Sequence, residues 1–92
     1  MIAVIFTSWV SAENQSAFLV AARRHAELSL SDAGCVRFDV LSPVGEEIKF
    51  IEIWQSQQDL DAHARRSAGG QEAPVMGSLR YDKKMEKYEI LD

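Results

Sequence analysis

The apolar positions of this chain change their period along its length, and the changes mark the elements. Ile2 to Val10 is rich in β-branched and aromatic residues on both alternating faces, with Ile2, Val4 and Phe6 against Ala3, Ile5 and Trp9. That pattern predicts a strand covered on both sides. Ser11 offers a helix cap. From Ala12 to Ser31 the period lengthens: Phe18, Leu19, Ala22 and Ala26 form one stripe, with Arg23, Arg24 and Glu27 opposite, the spacing of an amphipathic helix. Asp32-Ala33-Gly34 closes it, with Gly34 suited to a left-handed turn.

Cys35 to Leu41 and Ile48 to Gln55 read as two strands, and Ser42-Pro43-Val44-Gly45 supplies hairpin turn chemistry. With Leu41 near Glu47 in register, Asp39 faces Lys49. Val36, Phe38, Val40, Ile48, Phe50 and Trp54 then share one face with Glu52. Ser56-Gln57-Gln58-Asp59 matches a capping box and starts a helix from Gln57 to about Ala68, stopped by Gly69-Gly70. In residues 71–82, Pro74 and Gly77 argue against a long helix and allow a short turn ending near Leu79. Met85 to Leu91 alternates enough for a last strand.

The order βαββαβ predicts one α+β domain over residues 1–92. Its expected form is ferredoxin-like, a four-stranded antiparallel sheet with helices on one face. The uncovered face would carry Cys35, Leu41, Ile51 and Ile53, too apolar for bare water, so a homodimer stacked through its sheet faces is expected. A lone 92-residue domain buries only about two-thirds of its unfolded surface, which makes such pairing worthwhile.

Composition narrows the partners. A net charge of -4, with basic doublets only at Arg23-Arg24, Arg65-Arg66 and Lys83-Lys84, lacks the clustered cationic face that nucleic acid requires. The apolar opening has no basic leader or cleavage site, and no stretch approaches the ~20 apolar residues of a membrane span. A single cysteine, Cys35, permits no intrachain disulfide and fits a reducing cytoplasm. No HxxxH or CxxC spacing suggests a metal site, and no glycine-rich phosphate loop is present.

The residues that could carry chemistry converge on the second helix and third strand. Leu60, His63, Ala64 and Ser67 share a stripe, so His63 faces the sheet. Glu52 and Trp54, two apart on a strand, point to the same helix-covered face. A sheltered carboxylate and imidazole shift each other's protonation and can yield a base for a phenol or an acidic C–H, with the Trp54 indole as a flat wall. The same residue types also suit a hydrogen-bonded core, which is their commoner use. His25 sits at the edge of the first helix's stripe and reads as a boundary histidine.

Gly34-Cys35-Val36-Arg37-Phe38-Asp39-Val40-Leu41, then Phe50-Ile51-Glu52-Ile53-Trp54-Gln55-Ser56, then Leu60-Asp61-Ala62-His63 resemble the antibiotic biosynthesis monooxygenase domain. That family's pattern runs roughly G-C-x-x-[YF]-x-V-L, F-x-x-x-E-x-W-x-S and L-x-x-H. The resemblance implies a dimeric α+β barrel with a pocket between sheet and helices. Members include cofactor-free oxygenases of phenols and quinols, haem-degrading enzymes and an isomerase of a phosphorylated ketone. Trp54 matches the pocket tryptophan of the polyketide oxygenases, and His63 matches the histidine of quinol-oxygenase-like members. Phe50 and Leu60 stand where the polyketide oxygenases place asparagine and tyrosine. The asparagine and tryptophan of the haem-degrading members are absent.

The expectation is a cytoplasmic monooxygenase acting on a small aromatic or quinol-type molecule without metal, flavin or other cofactor. His63 and Glu52 are its candidate catalytic residues, and Trp54, Phe38, Phe50 and Leu60 its candidate substrate contacts. Two alternatives stand beside it: a non-catalytic dimeric protein that binds a hydrophobic metabolite, and an isomerase using Glu52 and His63 as an acid–base pair.

Overall fold

The computed structural model describes residues 1–91. Strand β1 (Ile2–Trp9) passes through a 3-10 turn (Ala12–Asn14) into helix α1 (Gln15–Leu30), and β2 (Cys35–Val40) and β3 (Glu47–Trp54) follow as a hairpin. Helices α2 (Gln57–Ala68) and α3 (Glu72–Leu79) then return the chain to β4 (Asp82–Glu89). The strands form one antiparallel sheet in the order β2-β3-β1-β4. This is the expected ferredoxin-like α+β arrangement with a third helix added.

Strands β1 and β3 occupy the centre, with Val4 opposite Glu52 and Phe6 opposite Phe50. Alternation sends Val4, Ile48, Phe50 and Trp54 under the helices, where they pack with Phe18 and Ala22 of α1. The other face carries Ile5, Ile51 and Ile53, all partly exposed.

Gly34 takes the expected left-handed conformation at φ +79. A Cβ there would lie 2.1 Å from Asp59 Oδ2, so the position needs glycine for space as well. Asp59 belongs to the cap of α2: its backbone N–H donates to Ser56 Oγ at 3.2 Å, and that hydroxyl donates to the Asp59 carboxylate at 3.0 Å. The turn after α1 and the start of α2 are thereby fitted to each other.

Five local expectations are corrected. Ser11 precedes the 3-10 turn but makes no side-chain cap. The β2–β3 register is offset by two residues, placing Asp39 opposite Ile51 and Leu41 N–H on the Lys49 carbonyl, because the turn closes further along, at Val44–Glu47. An offset of two keeps every side chain on its face but parts Asp39 from Lys49. Asp39 accepts from Arg37 instead, and Lys49 Nζ donates to Thr7 Oγ1 at 2.9 Å.

A bulge follows at the start of β2. Cys35 pairs with Trp54 and Arg37 with Ile53, so Val36 is the extra residue. Val36 is therefore 48% exposed, and Cys35 turns inward against the core rather than onto the open face. Residues 71–82 hold a full eight-residue helix. Pro74 is its third residue, where the missing N–H would have had no intrahelical acceptor. Finally, β4 begins at Asp82 because β1 offers ladder partners from Trp9 back to Ile2; polar Lys83 and Lys84 suit that edge position.

Candidate active site

The helix-covered face of the sheet and helices α1, α2 and α3 enclose a cavity of about 270 Å³. Phe6, Phe50 and Glu52 form its floor, Leu60, His63, Ala64 and Ser67 one wall, and Arg80, Lys83 and Met85 its mouth. The wall is the α2 stripe read from the sequence. It is held in place by the Ser56 cap at one end and by Leu60, which is buried, beneath.

His63 is 7% exposed and its Nδ1 lies 2.8 Å from Asp32 Oδ2. Asp32 stands just beyond α1, and Arg66, one turn past His63 on α2, grips the same carboxylate at 2.9 Å from both Nε and Nη2. Arg66 Nη2 also reaches Ser29 Oγ at 3.3 Å, and that hydroxyl donates to the His25 carbonyl at 2.6 Å. One carboxylate thus ties α1 to α2. Burial works against its charge, but the hydrogen bonds from Arg66 and His63 outweigh this and hold the Asp32 carboxyl below its ordinary range. An ionised carboxylate can only accept, so Nδ1 is the protonated nitrogen and Nε2 carries the free lone pair. Burial lowers the His63 pKa against the opposing pull of Asp32; at neutral pH the ring is an uncharged base.

Glu52 makes no hydrogen bond to His63. Its Oε1 accepts from Trp54 Nε1 at 3.0 Å, within the sheet floor. Burial raises its pKa to about 7, only partly offset by the indole hydrogen bond. No cation pairs with it among the described residues. It therefore divides between acid and carboxylate near neutrality, a poise suited to proton transfer.

His25 completes the set. It lies in the buried stripe of α1 with Phe18, Ala22 and Ser29, its ring edge-on to Phe38 at 5.2 Å and 5.3 Å from the His63 ring. Burial, followed by the fields of His63 and Arg66, lowers its pKa to about 4. It is 5% exposed and lines the cavity.

Of the residues singled out in the sequence, Glu52, Phe50, Leu60 and His63 all line the cavity. Trp54 and Phe38 do not. Trp54 is wholly buried beneath His63, ring centroids 4.5 Å apart, and Phe38 packs between Phe50 and His25. The indole therefore backs the imidazole and anchors Glu52 rather than walling the cavity. Sequence reasoning missed Asp32 and Arg66, and it read as a boundary residue the His25 that is in fact buried. Arg66 had a signal: three residues after His63, it shares the helical face, so one acid could serve both.

A small α+β domain with an apolar cavity, a carboxylate-held imidazole and an unpaired acid defines an acid–base pocket of the ferredoxin-like class. The family pattern of antibiotic biosynthesis monooxygenases matches residues 1–69, and the chain belongs to that family. A candidate antibiotic biosynthesis monooxygenase from Nitrosomonas europaea superposes with TM-score 0.90 at 22% identity, covering 100% of both chains. One from Deinococcus radiodurans gives TM-score 0.90 at 19% identity over 100% of this chain and 94% of the other. A Bacteroides thetaiotaomicron protein described as a possible oxidoreductase gives 0.86 at 25% identity, covering 97% and 96%. No functionally curated protein matches the chain. Among the described residues, no helix is long and apolar enough to cross a membrane.

Proposed function

We propose that this protein is a cofactor-independent monooxygenase acting on a small aromatic or quinol-type substrate, with His63 as the base. The observation that carries the reading is the Asp32–His63 pair at 2.8 Å, which leaves Nε2 as the free nitrogen of a residue lining an apolar cavity. His63 Nε2 takes a proton from the phenol or the activated CH₂, and Asp32 stabilises the resulting imidazolium. The substrate anion gives an electron to dioxygen, and the radical pair combines to a peroxide. Loss of water then converts CH₂ and O₂ into C=O and H₂O. The protein orients the anion and keeps bulk water from it.

Oxygen uptake with a panel of hydroquinones and anthrones tests this. Uptake above the buffer rate that His63→Ala abolishes is expected. Uptake at the buffer rate for every compound, or an unaffected His63→Ala, refutes it.

Glu52 favours a second reading, an isomerase in which Glu52 and His63 exchange protons with a polar ketone. Both groups line one cavity, and Glu52 is poised at about 7. Turnover in the absence of oxygen separates it from the first. We further infer a single-domain cytoplasmic homodimer joined through the open sheet face. The partly exposed Ile5, Ile51 and Ile53 support that pairing.

A further inference from the structure

The mouth of the cavity is cationic in a chain whose net charge is -4. Arg80 closes the end of α3, its backbone N–H on the Met76 carbonyl, and its guanidinium lies over the Phe6 ring at 5.3 Å. Its one side-chain hydrogen bond among the described residues is a long one, Nη1 to Ser8 Oγ at 3.4 Å. Lys83 stands directly opposite Ser8 in the β1–β4 ladder, so its side chain leaves the sheet on the same side, a neighbour of that hydroxyl. Neither cation has a carboxylate partner among the described residues.

A half-buried guanidinium without a counter-charge is a poor arrangement for stability alone, because its desolvation goes uncompensated. Burial lowers the Arg80 pKa, and no carboxylate opposes it. Asp82, the nearest acid in sequence, turns its carboxylate onto the Lys83 backbone N–H. Most of the guanidinium fork is therefore free to take two oxygens of an anion. The same cavity is lined by the Phe6 and Phe50 rings, 6.2 Å apart, and by the buried His63 and Glu52.

From these positions we infer that the substrate is an aromatic acid: a ring against Phe6 and Phe50, carrying an anionic substituent that Arg80 and Lys83 hold at the mouth while its hydroxyl reaches His63. This rests on the proposed aromatic substrate and adds its charge. A carboxylate and a phosphate ester share the chemistry that the pair recognises. The fork of Arg80 suits both, so the two are compared directly.

The test is equilibrium binding to the full chain, without turnover, of 1-naphthol, 5-hydroxy-1-naphthoate and 5-hydroxy-1-naphthyl phosphate, the two anions carrying their charge at the far end of the ring from the hydroxyl. At least one anion is expected to bind roughly tenfold or more tightly than 1-naphthol at low salt, the preference shrinking as salt rises. In Arg80→Gln/Lys83→Gln that ratio is expected to fall toward one, with 1-naphthol still bound as evidence of an intact cavity. The tighter anion identifies carboxylate or phosphate as the group read. Equal affinities for neutral and anionic probes, a preference that survives the double variant, or no binding of any probe overturns the inference. Because dioxygen chemistry plays no part, a preference for anions together with absent oxygen uptake would retain the ligand class and reject only the monooxygenase reaction.

Discussion

Asp32→Asn isolates the contribution of the carboxylate to the His63 base. The substitution keeps the shape of the side chain and removes its charge. In the native protein that charge sits 2.8 Å from Nδ1, in a site where the His63 and Asp32 side chains are 8% and 17% exposed. Two unit charges about 4 Å apart attract by about 4 kcal/mol at an effective dielectric constant near 20. Arg66, on the same carboxylate, cancels part of that field. A hydrogen bond to a charged group contributes about 1.5–3 kcal/mol, and this is the better measure of what the imidazolium would lose. At 1.4 kcal/mol per decade, proton abstraction should slow by roughly ten- to a hundredfold. The His63 pKa should fall, since Asp32 raises it and the remaining Arg66 charge lowers it. Nitrogen-15 NMR of the labelled imidazole reads both tautomer and titration. The expected outcome is a wild-type ring protonated at Nδ1 and a variant ring that titrates at lower pH. A wild-type ring protonated at Nε2, or an unchanged titration in Asp32→Asn, would refute the assignment of Nε2 as the free base.

Stability against pH is expected to hide two opposing slopes. His25 is lowered from 6.5 to about 4, so the unfolded chain binds the extra proton and stability is lost as pH falls from about 6.5 to about 4. Glu52 is raised from 4.5 to about 7, so its contribution is full below about 4.5 and is lost as pH rises through about 7. Each is worth about 3 kcal/mol; between about pH 4.5 and 6.5 they oppose each other, and the lowered pKa of His63 adds a slope of the same sign as that of His25. Relative to wild type across that window, urea titrations of Glu52→Gln should therefore show stability rising more steeply with pH, and those of His25→Phe less steeply; profiles parallel to wild type in both variants would contradict the burial argument. Gly34→Ala is expected to cost more than Gly45→Ala. Both positions have positive φ, about 1–2 kcal/mol of strain for alanine, but only at Gly34 does the new methyl strike the Asp59 cap, and losing that cap adds about 1 kcal/mol. Equal urea midpoints would remove the cap from the account. Ile51→Glu on the open sheet face should turn a dimer into a monomer in sedimentation; an unchanged assembly would exclude pairing through that face.

The sheet and the α2 wall were legible because each rests on a local period that tertiary structure did not overrule. Alternation fixed the faces of β3 even where the register was misjudged, since an offset of two residues moves partners without turning side chains over. The capping box placed α2, and its stripe put Leu60, His63, Ala64 and Ser67 on one wall. What stayed hidden was set by long-range geometry. Val36 alternates correctly on paper, yet the bulge that displaces it arises from how β2 meets the end of β3 after Gly34, a constraint that no period records. Asp32 read only as a helix terminator because its role depends on α2 returning to it, 31 residues later in the case of His63.

The displaced pairing has a physical logic. Had Glu52 held the imidazole, the cavity would contain a single shared proton site, with acid and base locked together. With Asp32 below its ordinary range holding His63 and the Trp54 indole holding Glu52, the cavity keeps two independent titrating groups, each hydrogen-bonded on its far side. Base and acid can then work on one substrate without first exchanging a proton with each other, as the isomerase reading needs; the oxygenase reading uses His63 alone. The prediction specific to this arrangement concerns coupling: the pKa of Glu52 near 7 should be almost unchanged in His63→Gln, because burial and the indole, not the imidazole, determine it. Carbon-13 titration of the labelled Glu52 carboxyl measures it directly, and a large shift in that variant would mean that the two groups share one proton after all.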